Sequence, residues 1–355
     1  MFLVVGFFGL LLVAPLLLTF YLARSYSPPD YSRYDIPQAE PLMSDDQVSR
    51  VHQDVVAKLK SFTGARALGI ERSRAQMEAL FYRDVAAEII PVDVDGVPGE
   101  WVLAEGADPD ARLLYLHGGA FRVGSPRSHR HLTNELSRRC GVAVLAIDYR
   151  MMPEHKMIAC HEDTQTAYRW ILENGPSGPG NPEHLFVAGD SAGGNLTLSV
   201  IAWARDQGLP QASGAIAFAP STDSTFSSPT WLSNRKSDPF LGPSLGRLLS
   251  IPKFILHIGS RFTGGAAPNA PVLSPLFGDL SNLPPTLLQV SRDEMLYGDS
   301  QRYVNKAHSQ GGVVELQVWP TMVHVFQAFP ELPEADDALD RVAKFVGPLK
   351  VGMKG

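Results

Sequence analysis

Two stretches of the chain set a serine between glycines at the spacing G-x-S-x-G: residues 189–193 around Ser191 and residues 242–246 around Ser244. That spacing suits a nucleophile mounted on a sharp strand-to-helix turn, where the backbone comes too close to itself for a Cβ on either glycine. Ser191 follows the apolar run "HLFVAG" and precedes "NLTLSVIAWAR", whose apolar spacing is helical. Ser244 follows "SDPF", which has no strand character, and Pro243 removes a backbone donor beside it. Context selects Ser191 as the candidate nucleophile and leaves Ser244 as a loop or helix start.

A serine hydroxyl at neutral pH needs a neighbouring base, and that base needs an orienting carboxylate. On sheet-based scaffolds the chain order is Ser, then Asp or Glu, then His. Here "VSRDEMLYGDS" begins as an apolar strand over 286–290 ends, and "MVHVFQAF" follows a strand over 314–319, which makes His324 the candidate base. Asp293 and Glu294 both qualify as the acid. Neighbouring side chains on an extended segment diverge, so only one of them can face the imidazole. Donors for a tetrahedral oxyanion come next. "LLYLHGGAF" at 113–121 ends an apolar strand in His117, Gly118, Gly119 and Ala120, whose amides would act with that of Ala192. Losing one such donor typically costs about 10²–10³ in rate.

These groups are far apart in the chain and need a scaffold that gathers them. Strand candidates at 111–116, 142–147, 184–189, 214–219, 286–290 and 314–319 alternate with helical stretches such as 129–140, closed by Gly141, and 162–174, closed by Gly175. The alternation predicts an α/β fold with a mainly parallel central sheet and helices on both faces, filling a catalytic domain over 88–350. Before it, "SDDQVSRVHQDVVAKLKSF" opens with a capping box from Ser44 to Gln47 and carries Val48, Val51, Val55 and Leu59 on one helical face. A second helix is predicted over 71–87, so residues 44–87 read as cap helices. Residues 224–270, rich in Pro, Ser and Gly with a short helix around 247–257, read as a further cap insertion beyond the strand ends.

Composition narrows the partners. A net charge of −6 with no basic run argues against nucleic acid. Cys140 and Cys160 give neither a disulfide framework nor metal spacing. His129 and His131 lack a third ligand, and HExxH is absent, so they read as a solvated helix start; no metal or organic cofactor is expected. Asp190 reads as structural, and Asp163 and the "DYR" of 148–150 as fixing loops near the pocket. The first 23 residues carry no charged side chain. As a helix, residues 2–23 would span roughly 33 Å, enough to cross a bilayer core. The expectation is an uncleaved single-pass anchor followed by a linker over 24–43, with a cleaved signal peptide as the alternative. Arg24 and Arg33 after the span favour a cytoplasmic catalytic domain.

Taken together, "HGGAF", "DYRMMPEH" at 148–155, "GDSAGGN", "SPLFGDL" at 274–280, "DEMLYGDS" and "HVF" resemble the hormone-sensitive-lipase-like branch of the α/β-hydrolases over about residues 85–345. The resemblance implies Ser191 as nucleophile, His324 as base, and Gly118, Gly119 and Ala192 in the oxyanion loop. The family's D-P-L-x-D-E segment superimposes without a gap on Glu294-Met295-Leu296-Tyr297-Gly298-Asp299, which implies Glu294 as the acid. Ala120 replaces the usual third glycine but keeps its N–H, and a membrane anchor is uncommon in the family. The expected activity is a membrane-tethered serine esterase, working through an acyl-enzyme on small-molecule carboxylic esters of modest acyl length, with lipophilic ones suggested by the tether. An amidase or deacetylase would use the same triad. A silent binding protein, as the related plant gibberellin receptors are, would lack the histidine that is present here as His324.

Overall fold

The computed structural model describes residues 24–37, 39–63, 69–246 and 248–351. An eight-stranded sheet forms its centre. The strands are β1 (Glu88–Val94), β2 (Val97–Leu103), β3 (Asp108–Leu116), β4 (Val142–Ile147), β5 (His184–Asp190), β6 (Gly214–Phe218), β7 (Thr286–Ser291) and β8 (Val314–Trp319). Their spatial order is β1-β2-β4-β3-β5-β6-β7-β8. Pairing is parallel from β4 through β8 and antiparallel only where β2 meets β1 and β4. The six predicted strands all appear within a few residues of their expected limits. The β1–β2 hairpin was not resolved by the alternation, although Asp95-Gly96, with φ of 52° and 89°, is a standard two-residue hairpin turn.

Helices α1 (Val51–Thr63) and α2 (Ile70–Phe81) precede the sheet. The longer helices that follow are α3 (Arg130–Cys140), α4 (Met157–Ile171), α5 (Ala192–Asp206), α6 (Lys253–Gly264), α7 (Tyr297–Ser309) and α8 (Pro333–Val351), with short helical turns at Thr230–Ser233 and Leu241–Leu245. The central strands are buried on both faces, so their side chains alternate between two cores. Leu114, Leu116, Leu145, Val187 and Leu288 pack with α4, α5 and α7 on one side. Leu113, Val144, Phe186 and Ile216 pack with α3 and α8 on the other. The expected two-faced α/β fold is the observed one.

Several boundaries move, each for a local reason. The capping box at Ser44 forms, with its amide on Gln47 Oε1 at 2.8 Å, yet it opens only a 3-10 turn because Val48 turns extended (φ −64°, ψ 130°). The helix expected over 71–87 stops at Phe81, where Arg83 folds back onto the carbonyls of Leu80 and Tyr82. The helix expected over 162–174 runs over 157–171 instead, its last turn closed by Asn174 Nδ2 on the Trp170 carbonyl. The helix expected at 247–257 begins only after Pro252 and runs on to the left-handed Gly265.

Part of the expected linker over 24–43 is docked on the catalytic domain. Tyr34 is buried, Asn305 donates to the carbonyls of Tyr34 and Ile36 at 2.8 and 2.7 Å, and Arg302 clamps Asp35 at 2.6 and 2.8 Å. Leu42 donates to the Val318 carbonyl on edge strand β8. The expected anchor at 1–23 lies outside the described residues. Among the described residues no helix is long and apolar enough to cross a membrane.

The tightest packing lies where β3, β5 and α5 meet. A Cβ on Gly193 would strike the Leu116 carbonyl oxygen, whereas one on Gly259, mid-helix in α6, would meet open space. Gly193→Ala should therefore lower the unfolding free energy by about 2–4 kcal/mol. Gly259→Ala should raise it by roughly 0.5–1 kcal/mol through helix propensity. Urea denaturation midpoints measure both, and a wild-type midpoint for Gly193→Ala would refute the close contact.

Candidate active site

Parallel strands deliver their carboxyl ends to one edge of the sheet, and every candidate residue sits just beyond such an end. Gly118–Ala120 follow β3, Ser191 follows β5, Glu294 follows β7 and His324 follows β8. Ser191 caps α5 at φ 54° and ψ −112°, a conformation most side chains avoid. Its amide is pinned to the Phe218 carbonyl at 2.7 Å, and its carbonyl receives the amides of Asn195 and Ser221, both at 3.1 Å. The surrounding structure thus holds the turn in its strained form.

The imidazole of His324 bridges the two other candidates. Nε2 lies 2.9 Å from Ser191 Oγ and Nδ1 lies 3.0 Å from Glu294 Oε2. Glu294 is 1% exposed and His324 2%. Burial pushes the Glu294 carboxyl above its usual value, against the pull of the His324 bond and charge. Burial by itself would lower His324; the Glu294 hydrogen bond and charge outweigh it and raise its pKa above 6.5. Glu294 Oε1 has no hydrogen-bond partner among the described residues, so the imidazole is the carboxylate's main compensation.

Asp293, the alternative acid, points elsewhere. Its Oδ1 is 3.2 Å from Arg292 Nε and its Oδ2 accepts from Thr321 Oγ1 at 3.0 Å. The adjacent carboxylates diverge, although the segment that carries them is a turn after β7 and not extended.

The loop after β3 is held from beneath. Asp190 Oδ1 accepts the Tyr115 hydroxyl at 2.6 Å and the Gly118 amide at 2.9 Å. The expectation that Gly118 offers its N–H to an oxyanion is therefore corrected: that donor is already engaged by Asp190. The amides of Gly119, Ala120 and Ala192 have no acceptor among the described residues. Gly119 has φ +121°, and a Cβ there would strike the Val123 carbonyl oxygen. Ala120 adopts φ 54° despite its methyl. The "DYR" and Asp163 expectations are met: Tyr149 donates to the His117 carbonyl at 2.6 Å, and Arg150 forks onto Asp163 at 2.7–3.0 Å.

One reading is overturned. His129 is not a solvated helix start but is 4% exposed, with Nε2 3.5 Å from Asp190 Oδ1. The 125–128 turn swings the ring inward, where Nδ1 meets the Ser125 carbonyl and the Ser128 hydroxyl. Spacing within the sequence carries no sign of this, because the partner Asp190 lies at the end of β5, about sixty residues further along the chain. His131 is half-buried. Both cysteines are free and buried.

A cavity of about 460 Å³ opens over Ser191 and His324. Ile70, Met77 and Phe81 of α2 roof it together with Phe240, Leu241 and Leu245 from the insertion after β6. Phe81, Phe240 and Phe329 pack edge to face, which ties the two parts of the cap to each other and to the catalytic body. The sequence placed residues 71–87 and 224–270 in the cap but gave no sign of which of their side chains reach the serine.

The shift of His324 has a direct readout. Its imidazole should titrate above 6.5 by nitrogen-15 NMR. Glu294→Gln, which removes the neighbouring charge, should move that midpoint down, while Asp293→Asn should leave it in place. Equal displacement by both substitutions would contradict the geometry.

Residues 113–328 match the family described as alpha/beta hydrolase fold. An acetyl-hydrolase of Streptomyces hygroscopicus is 35% identical over 257 residues, covering 72% of this chain and 81% of that one. An esterase of Acinetobacter venetianus is 34% identical over 275 residues, covering 77% and 86%. A crystal structure of an esterase from the bacterial hormone-sensitive lipase family superimposes with a TM-score of 0.75 and 33% identity, over 86% of this chain and 98% of that one. With a sheet order, a strained serine turn and an apolar cap of this kind, the chain belongs to the α/β-hydrolases, in their hormone-sensitive-lipase-like branch.

Proposed function

We propose that this esterase-family chain hydrolyses carboxylic esters through an acyl-enzyme, with Ser191 as nucleophile, His324 as general base and Glu294 as the orienting acid. The observation supporting it is the unbroken contact Ser191 Oγ–His324 Nε2–His324 Nδ1–Glu294 Oε2, at 2.9 and 3.0 Å, inside a buried site. His324 takes the Ser191 proton on Nε2 as Oγ bonds to the ester carbonyl carbon. The carbonyl oxygen gains charge and is received by the amides of Gly119, Ala120 and Ala192. The imidazolium then protonates the departing alcohol, and the acyl group remains on Ser191. Water enters, gives its proton to His324 and attacks the acyl carbon, and the acid leaves as Ser191 recovers its hydrogen.

The cavity suits an ester with a short or medium acyl group and an apolar alcohol. Its walls are mainly aliphatic and aromatic, with Ser73, Gln76 and Arg122 adding polar groups to those of His129, Asp190, Ser191 and His324. The acetyl-hydrolase relative supports a small acyl portion. Residues 1–23, uncharged throughout, would tether the enzyme to a bilayer and expose it to lipophilic esters.

With p-nitrophenyl acetate, Ser191→Ala should lower kcat/KM by at least about 10⁴, and Glu294→Gln by about 10³–10⁴. Asp293→Asn should stay within about threefold, since surface carboxylates contribute little. Wild-type kcat/KM should fall as pH drops through a value above 6.5, because only neutral His324 accepts a proton, and the residual activity of Glu294→Gln should show that limb at lower pH. An acetyl group on the peptide containing Ser191, trapped by acid quench, tests the covalent step; its absence at full turnover would refute it.

The tether has its own test. The full chain should remain with membranes after carbonate extraction, and its release into the supernatant would count against the anchor.

A further inference from the structure

Helix α6 is built the wrong way round for a surface helix. Ile251, Phe254, Ile255 and Phe262 are 39%, 42%, 48% and 70% exposed, with half-buried Ile258 between them. Along the helix, positions 254, 255, 258 and 262 form one apolar stripe, and exposed Ile251 lies just ahead of the helix, before Pro252. The opposite face does the packing: Leu256 and His257 are buried, and His257 Nε2 lies 3.0 Å from the Thr225 carbonyl. None of the stripe residues lines the cavity above Ser191. A contiguous outward stripe of Phe and Ile marks a contact surface rather than scattered exposure.

Two observations say what it meets. The first is charge. No Asp or Glu occurs between Asp238 and Asp279, whereas Arg247, Lys253 and Arg261 fall in that stretch, in a chain of net charge −6. A segment that joins an exposed apolar stripe to cations and no acidic residue has the composition of a helix that lies in the headgroup layer of an anionic bilayer. The second is position. The described chain enters beside this insertion: Asn269 Nδ2 donates to the carbonyls of Ser25 and Ser27 at 2.9 and 3.3 Å. The uncharged residues 2–23 lead directly into that point.

We infer that the outward face of α6 is a membrane-contact surface, inserting Phe254, Ile255 and Phe262, with Ile251 just ahead of the helix, into the acyl boundary of a bilayer while Lys253 and Arg261 meet anionic headgroups. The insertion that bears α6 also supplies Phe240, Leu241 and Leu245 to the cavity wall, so lipid contact brings the roof of the ester pocket to the bilayer surface. This shares the bilayer with the proposed tether but stands on a different part of the molecule.

The test uses the full chain with vesicles of phosphatidylcholine and phosphatidylglycerol. Nitroxides are attached to Ile255→Cys, Phe262→Cys and, as a water-facing control, Val313→Cys, an exposed position just before edge strand β8. Labels at 255 and 262 should relax more readily with lipid-soluble oxygen than with an aqueous nickel chelate, and the label at 313 the reverse. Phe254→Ser combined with Phe262→Ser should keep wild-type turnover of soluble p-nitrophenyl acetate. The same double variant should lose at least about tenfold on an ester dissolved in the vesicles.

Labels at 255 and 262 that stay open to nickel on vesicle-bound protein would overturn the surface and leave the tether standing. Release by carbonate with lipid-shielded labels on anionic vesicles would do the opposite. Shielding that persists without vesicles would mean that protein covers the stripe, either residues 1–23 or, if it fades on dilution, a second copy; both overturn the proposal. Protein that fails to float with vesicles overturns it as well.

Discussion

A carboxylate withdrawn from water beside an imidazole is the interaction on which the rest of this molecule turns. Glu294 keeps one oxygen on His324 and leaves the other without a partner among the described residues, an arrangement that costs stability unless the imidazole shares the charge. Such a pair survives only where both side chains are held by rigid elements. β7 and β8 supply that rigidity through parallel pairing over Thr286–Ser291, and their ends place residues 294 and 324 side by side. Nearby Asp238 accepts the amides of Phe240, Leu241 and Met295, binding the cap to the same corner.

The serine side obeys a different constraint, which is room. β3, β5 and the start of α5 approach until backbone touches backbone. Gly189 and Gly193 are glycines because a Cβ on either would enter a neighbouring carbonyl. Gly118 is one because Asp190 leans into the space its side chain would take. Asp190 therefore links the two halves of the proposed chemistry. It adjoins the nucleophile in sequence, holds the loop of proposed oxyanion donors through the Gly118 amide, and is itself steadied by Tyr115 and His129.

The cap gives the catalytic body its chemical surroundings. Residues from α2 and from the insertion after β6 close a largely apolar cavity over the serine, and aromatic packing among Phe81, Phe240 and Phe329 couples them to the body. The outer side of the insertion carries the uncovered apolar stripe of α6. One segment thus faces the proposed ester site inward and presents an apolar surface outward, the side proposed to meet a bilayer.

Much of this was legible in the sequence because it depends on local pattern. Buried parallel strands must be continuous apolar runs, so the six central strands and the α/β class could be read directly, and the strand–turn–helix context separated Ser191 from Ser244. Resemblance added Glu294 over Asp293. What could not be read depends on contacts between distant segments. The engagement of the Gly118 amide by Asp190, the inward turn of His129, the docking of Tyr34 and Asp35 on α7, and the outward orientation of the apolar face of α6 leave no periodic trace. Periodicity reports which residues share a face; only packing against the remaining elements decides whether that face looks into the core, onto the substrate or out of the molecule.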